Sequence, residues 1–213
     1  MNYSVLILAA GKGTRMGLGY NKMFFHMDDG ETVLQHSIQL FLHDTRCKQI
    51  IVVTNRADMS KIVLQADSGE IVMVNGGDRR QDSVMNGLMA VKEDIVLIHD
   101  GARPYVELDA IDRLLDAMEH ERACILGIKA KDTIKKIKKG YIVETVDREE
   151  HMLAQTPQAF QTSFIIDCYA KALMNKIEAT DDAQIVEKVS QEKIRVVEGS
   201  TTNTKITTQE DVH

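Results

Sequence analysis

The chain has 213 residues, of which 44% are hydrophobic and 27% charged, with a formal net charge of −6. This length suits one large domain over 1–213 with a full core of its own, and the acidic balance argues against a nucleic-acid backbone as partner. No apolar run approaches a membrane span, no cleavable leader opens the chain, and Cys47, Cys124 and Cys168 lie too far apart for a disulfide framework or paired zinc ligands, so a cytoplasmic protein with reduced thiols and no membrane partner is expected.

The first apolar run, Val5 to Leu8, reads as a buried strand. It empties through Ala9-Ala10 into Gly11-Lys12-Gly13-Thr14-Arg15-Met16-Gly17. Such a loop brings main-chain N–H groups and the cations Lys12 and Arg15 up to a bound anion. Lys22 adds a third positive side chain, a set suited to a polyphosphate. The glycines at 11, 13 and 17 match neither the dinucleotide fingerprint nor the Walker loop. The plain alternative is a glycine-rich strand-to-helix turn that binds nothing.

Leu34, Ile38 and Phe41 then line one helical face, and Ile50 to Val53 form the next strand. Thr54-Asn55-Arg56 stands at its end, where a dinucleotide-binding dehydrogenase needs an acid. Ile71 to Val74 lead into Asn75-Gly76-Gly77-Asp78-Arg79-Arg80-Gln81-Asp82-Ser83. The paired glycines let a flat base approach the main chain, and Asp82 or Ser83 caps a helix striped by Val84, Leu88 and Val91. After Ile95 to Ile98 comes His99-Asp100-Gly101-Ala102-Arg103-Pro104, in which Asp100 either holds magnesium against phosphate or pairs with Arg103. Ile111, Leu114, Leu115 and Met118 line a further helix, and Ala123 to Ile128 a further strand.

From Asp132 to Val146 the pattern turns strand-like around Lys138-Lys139-Gly140. That reads as a projecting β-arm at about 131–151. Its open edges either pair with a second copy, giving a homodimer, or move as a surface hairpin. Lysines 129, 131, 135, 136, 138 and 139 there form an anion patch or a solvated face. Polar blocks follow: Gln155-Thr156-Pro157-Gln158, then Thr180 as an N-cap with Asp181 and Asp182 in the first turn. After a last strand, Ile194 to Val197, Lys205 sits on the polar run Gly199 to Thr207. Apolar strands alternating with amphipathic helices predict an α/β fold, a Rossmann-like, mainly parallel sheet with helices on both faces. Ligands are expected where the strands end.

Six of these blocks, in order from Ser4 to Asp211, resemble the 2-C-methyl-D-erythritol 4-phosphate cytidylyltransferase family: Leu8 to Gly17, Gly76-Gly77-Asp78 with Arg80 and Ser83, His99 to Pro104, Thr145-Val146-Asp147-Arg148, Gln155 to Gln158, and Asn203 to Thr207. The resemblance implies a nucleotidyltransferase fold with a dimerisation arm, and CTP and a polyol phosphate as substrates. It implies that Ala9, Ala10, Gly11, Gly13 and Thr14 wrap the triphosphate. Gly77, Asp78, Arg80, Ser83 and Gly101 complete the CTP site, and Asp100 lies by Mg²⁺ or another divalent cation. Arg15, Lys22, Lys205 and Arg148 carry the catalytic charge. Arg103, Thr133, Thr156, Thr180 and Lys205 grip the polyol phosphate, with Arg148 reaching over from a second subunit. In-line attack by an already anionic phosphate needs no general base, so His99 is expected to be structural.

The sequence departs from the family pattern at three points. Asn21 stands where a proline usually precedes the lysine and is expected to loosen the loop presenting Lys22. Gly101 replaces a common alanine, and His213 comes where relatives usually continue into a closing helix. The nearest rival is a ribitol 5-phosphate cytidylyltransferase. Ala9-Ala10 and the pair of blocks around Arg148 and Thr156 favour methylerythritol phosphate. A non-catalytic nucleotide sensor would lack the cations Arg15, Lys22 and Lys205.

Overall fold

A computed structural model describes residues 1–11, 19–62, 70–208 and 211. Seven strands form the main sheet in the order β3-β2-β1-β4-β8-β5-β9: β1 (Tyr3–Leu8), β2 (Cys47–Thr54), β3 (Glu70–Asn75), β4 (Ile95–Asp100), β5 (Ala123–Lys129), β8 (Met152–Gln161) and β9 (Arg195–Glu198). Neighbouring strands are parallel except at β8, which runs antiparallel to β4 and to β5. β6 (Ile134–Lys138) and β7 (Tyr141–Val146) pair separately.

The alternation of side chains along β1 sorts the core into two layers. Tyr3, Val5 and Ile7 point to the face covered by α1 (Val33–His43) and α3 (Leu108–Met118), where Leu34, Ile38, Phe41, Ile111, Leu114, Leu115 and Met118 are all buried. Leu6 points to the face covered by α2 (Arg80–Leu88), α4 (Thr162–Met174) and α5 (Asp182–Val189). The expected helix-covered, mainly parallel sheet is therefore present.

The strand register brings functional groups together. Leu8 lies beside Val53 on one flank and Asp100 on the other, and Thr54 lies beside Asn75. The chain leaves β1 toward β2 and β3 and then returns to β4 on the opposite side of β1. A crevice opens at such a reversal, outside the carboxyl ends of the strands.

Four local expectations are corrected. The block Gln155 to Gln158 belongs to a buried strand, β8, where the sequence reading had only polar residues. Pro157 is tolerated because β5 shifts register between Ile125 and Leu126, which pair with Gln158 and Gln155 and leave the proline outside that ladder. The cap of α2 is Arg79, with Asp82 at the third helical position accepting from Arg79 N, and Ser83 lies inside the first turn. Val91 falls beyond that helix. The cap of α5 is Asp181, whose carboxylate accepts from Gln184 N at 2.9 Å, and Thr180 precedes it.

The hairpin is where the sequence placed it. Lys139 and Gly140 take φ of 50° and 83° between Lys138 and Tyr141, the left-handed pair that a two-residue hairpin turn requires. Ile137, Tyr141, Ile142 and Val143 on this arm are exposed.

Candidate functional site

A cavity of about 670 Å³ lies at the carboxyl rim of β1, β3 and β4. Its walls are two loops in close contact. A Cβ on Gly76 would lie 2.6 Å from Ala10 Cβ, and one on Gly77 would lie 2.4 Å from Asp82 Cβ, so these glycines let the β3–α2 loop close against the end of β1 and the start of α2. Gly77 N donates to Ser83 Oγ at 3.0 Å, and Asn55 Nδ2 donates to Ala10 O at 2.9 Å. Asp78 stands exposed on the same wall.

The floor is charged. Lys205 Nζ lies 2.5 Å from Asp100 Oδ2, and Arg80 Nη2 lies 3.7 Å from Oδ1. Burial works to raise the Asp100 pKa, but Lys205 and Arg80 outweigh it and hold the carboxyl at about 2. Arg80 spends its fork elsewhere, donating to Asp182 at 2.9 and 2.7 Å. Lys22 is buried beside this floor and donates to Ile206 O at 2.6 Å, while Ile206 N donates to Ala102 O at 2.8 Å. The C-terminal polar run is thereby tied both to Lys22 and to the loop after β4.

Asn21 does not loosen the loop that carries Lys22. Its Oδ1 accepts from Met23 N at 3.2 Å, capping the 3₁₀ turn Lys22–Phe24, and its Nδ2 donates to Ala9 O at 2.8 Å and to Asp58 Oδ2 at 3.2 Å. Three side-chain bonds do the stiffening expected of a proline ring.

Of the residues expected at the site, Ala10, Gly11, Lys22, Gly77, Asp78, Arg80, Ser83, Asp100 and Lys205 line the cavity. Lys12, Gly13, Thr14 and Arg15 lie outside the described residues. Ala9 and Gly101 sit buried beneath the cavity as backbone braces, with Ala9 N bonded to Val53 O and Gly101 N to Leu8 O. Arg103 pairs with Asn203 O at 2.7 Å through Nη1, whereas Asp100 takes Lys205 as its closest cation. Thr133, Thr180 and Arg148 are exposed away from the cavity lining. Arg148 sits at the root of the arm, donating to Lys131 O at 2.9 Å.

Thr156 is used internally. Its hydroxyl accepts from Asp100 N at 3.0 Å and contacts His99 Nδ1 at 3.2 Å. The other ring nitrogen, Nε2, donates to the Arg103 carbonyl at 3.1 Å, which leaves Nδ1 to accept from Thr156. Complete burial drives the His99 pKa down to about 4, so the ring is neutral and structural, as expected. Asn55, Arg79 and Thr207 also line the cavity and were not singled out from the sequence. Asn55 and Arg79 sit in segments read as strand ends and Thr207 closes the polar run Gly199 to Thr207, the available signals.

Taken as chemistry, the site sets the ionised Asp100 carboxylate among cations, with backbone-lined walls wide enough for a nucleotide. Comparisons agree. Residues 3–213 match the model of the family described as IspD, 2-C-methyl-D-erythritol 4-phosphate cytidylyltransferase. The chain is 39% identical over 217 residues to the protein of that name from Geobacillus kaustophilus, covering 100% of this chain and 94% of the relative. It is 40% identical to the one from Bacillus velezensis, covering 100% and 93%. The crystal structure of 4-diphosphocytidyl-2C-methyl-D-erythritol synthase from Anaerococcus prevotii superposes with a TM-score of 0.87 at 33% identity, covering 99% of this chain and 94% of that one.

Proposed function

Because this chain belongs to the 2-C-methyl-D-erythritol 4-phosphate cytidylyltransferase family, we propose that the cavity between β1, β3 and β4 receives CTP and that the polyol phosphate docks beside Asp100 and Lys205. The enzyme is a nucleotidyltransferase that joins a cytidylyl group to 2-C-methyl-D-erythritol 4-phosphate, an isoprenoid-precursor step, giving 4-diphosphocytidyl-2-C-methyl-D-erythritol and pyrophosphate. The observation that carries the site assignment is the clustering of Arg80 and Lys205 around Asp100, in a cavity that Lys22 also lines, at the point where the strand order reverses.

The chemistry asks little of a base. The acceptor phosphate is already anionic, and an oxygen of it attacks the α-phosphorus in line while pyrophosphate leaves. Mutual repulsion of two anions is the obstacle, and positioned cations remove it. Lys22, fixed by its bond to Ile206 O, presents its charge at the cavity wall. Lys205 reaches the acceptor side, and Arg15 is assigned to the α-phosphate beside Lys22. Gly77, Asp78 and Ser83 form the wall assigned to cytosine and ribose. Asp100 is ionised at neutral pH and offers hard oxygen donors, so it would hold Mg²⁺ together with triphosphate oxygens, the cation supplying further charge neutralisation there. Thr156 acts through Asp100 N and His99 in this reading, with Arg103 and Thr180 on the acceptor side.

The arm is assigned to a homodimer. Exposed Ile137, Tyr141, Ile142 and Val143 leave apolar surface on both faces of the hairpin, and a second copy clasping it would carry Arg148 and Thr133 toward the partner's acceptor site. No described helix is long and apolar enough to cross a membrane. The reading proposed is a single-domain cytoplasmic enzyme acting on CTP and a polyol phosphate with no nucleic-acid or membrane partner, and the net charge of −6 favours small anionic substrates over a nucleic-acid backbone as partner. Pyrophosphate release with CTP and methylerythritol, ribitol or glycerol phosphate tests the reading. Turnover with methylerythritol phosphate well above the other two is expected, and a preference for ribitol phosphate would overturn the acceptor assignment.

A further inference from the structure

Arg80 stands between two carboxylates and is committed to one of them. Its Nη1 and Nη2 donate to Asp182 Oδ1 and Oδ2 at 2.9 and 2.7 Å, whereas Asp100 Oδ1 lies 3.7 Å from Nη2. Asp182 is the first residue of α5 and is fully buried. Tyr169 of α4 donates its hydroxyl to the same Oδ1 at 2.5 Å. Neither residue lines the cavity, and no substrate contact is open to either.

Two physical differences decide which carboxylate holds the guanidinium. A planar fork bound through two short, parallel bonds is stronger and more directional than a single approach at 3.7 Å. A fully buried carboxylate with no cation is also strongly unfavourable, whereas Asp100 already has Lys205 at 2.5 Å. The anchor is itself immobile. Gln158 of β8 accepts from Ala183 N at 3.0 Å and donates to Asp181 Oδ2 at 3.0 Å, so the first turn of α5 is locked to the sheet.

We propose that Asp182, braced by Tyr169, is a positioning residue that pins the Arg80 fork along the nucleotide side of the cavity and keeps it from collapsing onto Asp100. Loss of the anchor sends Arg80 to the nearest remaining acid. Asp100 is then neutralised by two cations, and the cavity wall loses a pre-set donor whose ordering no longer precedes nucleotide binding. The inference rests on the assignment of this wall to CTP made above.

Steady-state kinetics on Asp182→Asn, Tyr169→Phe and Arg80→Met, and on Asp182→Asn combined with Arg80→Met, separate the two. Arg80→Met is expected to raise the KM for CTP by about 10-fold or more, with the acceptor KM within about 2-fold. Asp182→Asn is expected to raise the same constant by about 10-fold in the parent enzyme but by less than about 2-fold in the Arg80→Met background, because it acts through Arg80. Tyr169→Phe keeps the ion pair and the ring, so it folds even where Asp182→Asn does not, and is expected to shift the CTP KM by about 2- to 5-fold in the same direction. An unchanged CTP KM in Arg80→Met would overturn the nucleotide assignment. A normal CTP KM in Tyr169→Phe and Asp182→Asn, or an equal effect with and without Arg80, would overturn the anchoring role alone.

Discussion

Replacing Asn21 with alanine tests whether side-chain bonds set the place of Lys22. The change removes the cap on Met23 N and both amide bonds, to Ala9 O and to Asp58. Loss of a helix-type cap costs about 1 kcal/mol. Ala9 is 1% exposed, so its carbonyl is left buried without the 2.8 Å donor, at a cost of about 1–3 kcal/mol. Asp58 is less affected because it keeps Lys61 at 2.9 Å. The sum is about 2–4 kcal/mol, which for a chain of this size lowers the melting temperature by roughly 5–15 °C. Asn21 has a φ of −65°, the value a proline ring imposes. Asn21→Pro therefore fits the backbone but loses the same three bonds, and it should be less stable than the parent and no more than about 1 kcal/mol more stable than Asn21→Ala. Thermal unfolding followed by circular dichroism, with kcat measured at saturation in both substrates, checks the series. An Asn21→Ala protein melting within about 2 °C of the parent would refute the reasoning, since that shift corresponds to less than about 1 kcal/mol.

Lys22→Ala should lower kcat by roughly 10² with little change in either KM, because a donor aimed at developing charge is worth about 2.7–4 kcal/mol; near-normal turnover would remove Lys22 from the chemistry. Arg148→Ala should raise the acceptor KM and leave the CTP KM alone, the signature of lost ground-state binding, and the reverse pattern would reassign the arm. The third expectation concerns acid. The His99 ring is held neutral down to about 4, while an unfolded histidine takes its proton near 6.5, so the unfolded chain binds more protons between these values and stability falls as pH falls through that window. The full effect is roughly 3 kcal/mol. Melting curves of the parent and His99→Gln from pH 7 to pH 4.5 should show a shallower decline in the variant, and parallel declines would count against the assignment.

How much of this was legible in the sequence depended on where each residue finds its partners. β1, β2, β4 and β5 were readable because strands buried on both faces are apolar runs, and the edge strand β3 because it is a β-branched run. Asp100 was readable because it ends such a run, Lys22 as a third cation downstream of the glycine-rich loop, and Lys205 on the polar run Gly199 to Thr207. β8 was not. Its buried polar side chains find their partners far away: Gln155 Nε2 at Ser200 O and Asn203 O, Gln158 at Ala183 N and Asp181, Thr156 at Asp100 N and His99. Any local window therefore sees a loop. The caps failed for the same reason. Thr180 and Asp181 are both eligible by type, and the choice falls on Asp181, which Gln158 holds on its other oxygen. Arg80 was legible as a cation at a strand end, yet its acid lies 102 positions along the chain. Local pattern thus identifies which groups crowd the cavity, and the sheet order decides which of them are free to meet a substrate. Thr156, which the resemblance places at the substrate, is also a brace of Asp100 N because β8 lies next to β4 and antiparallel to it.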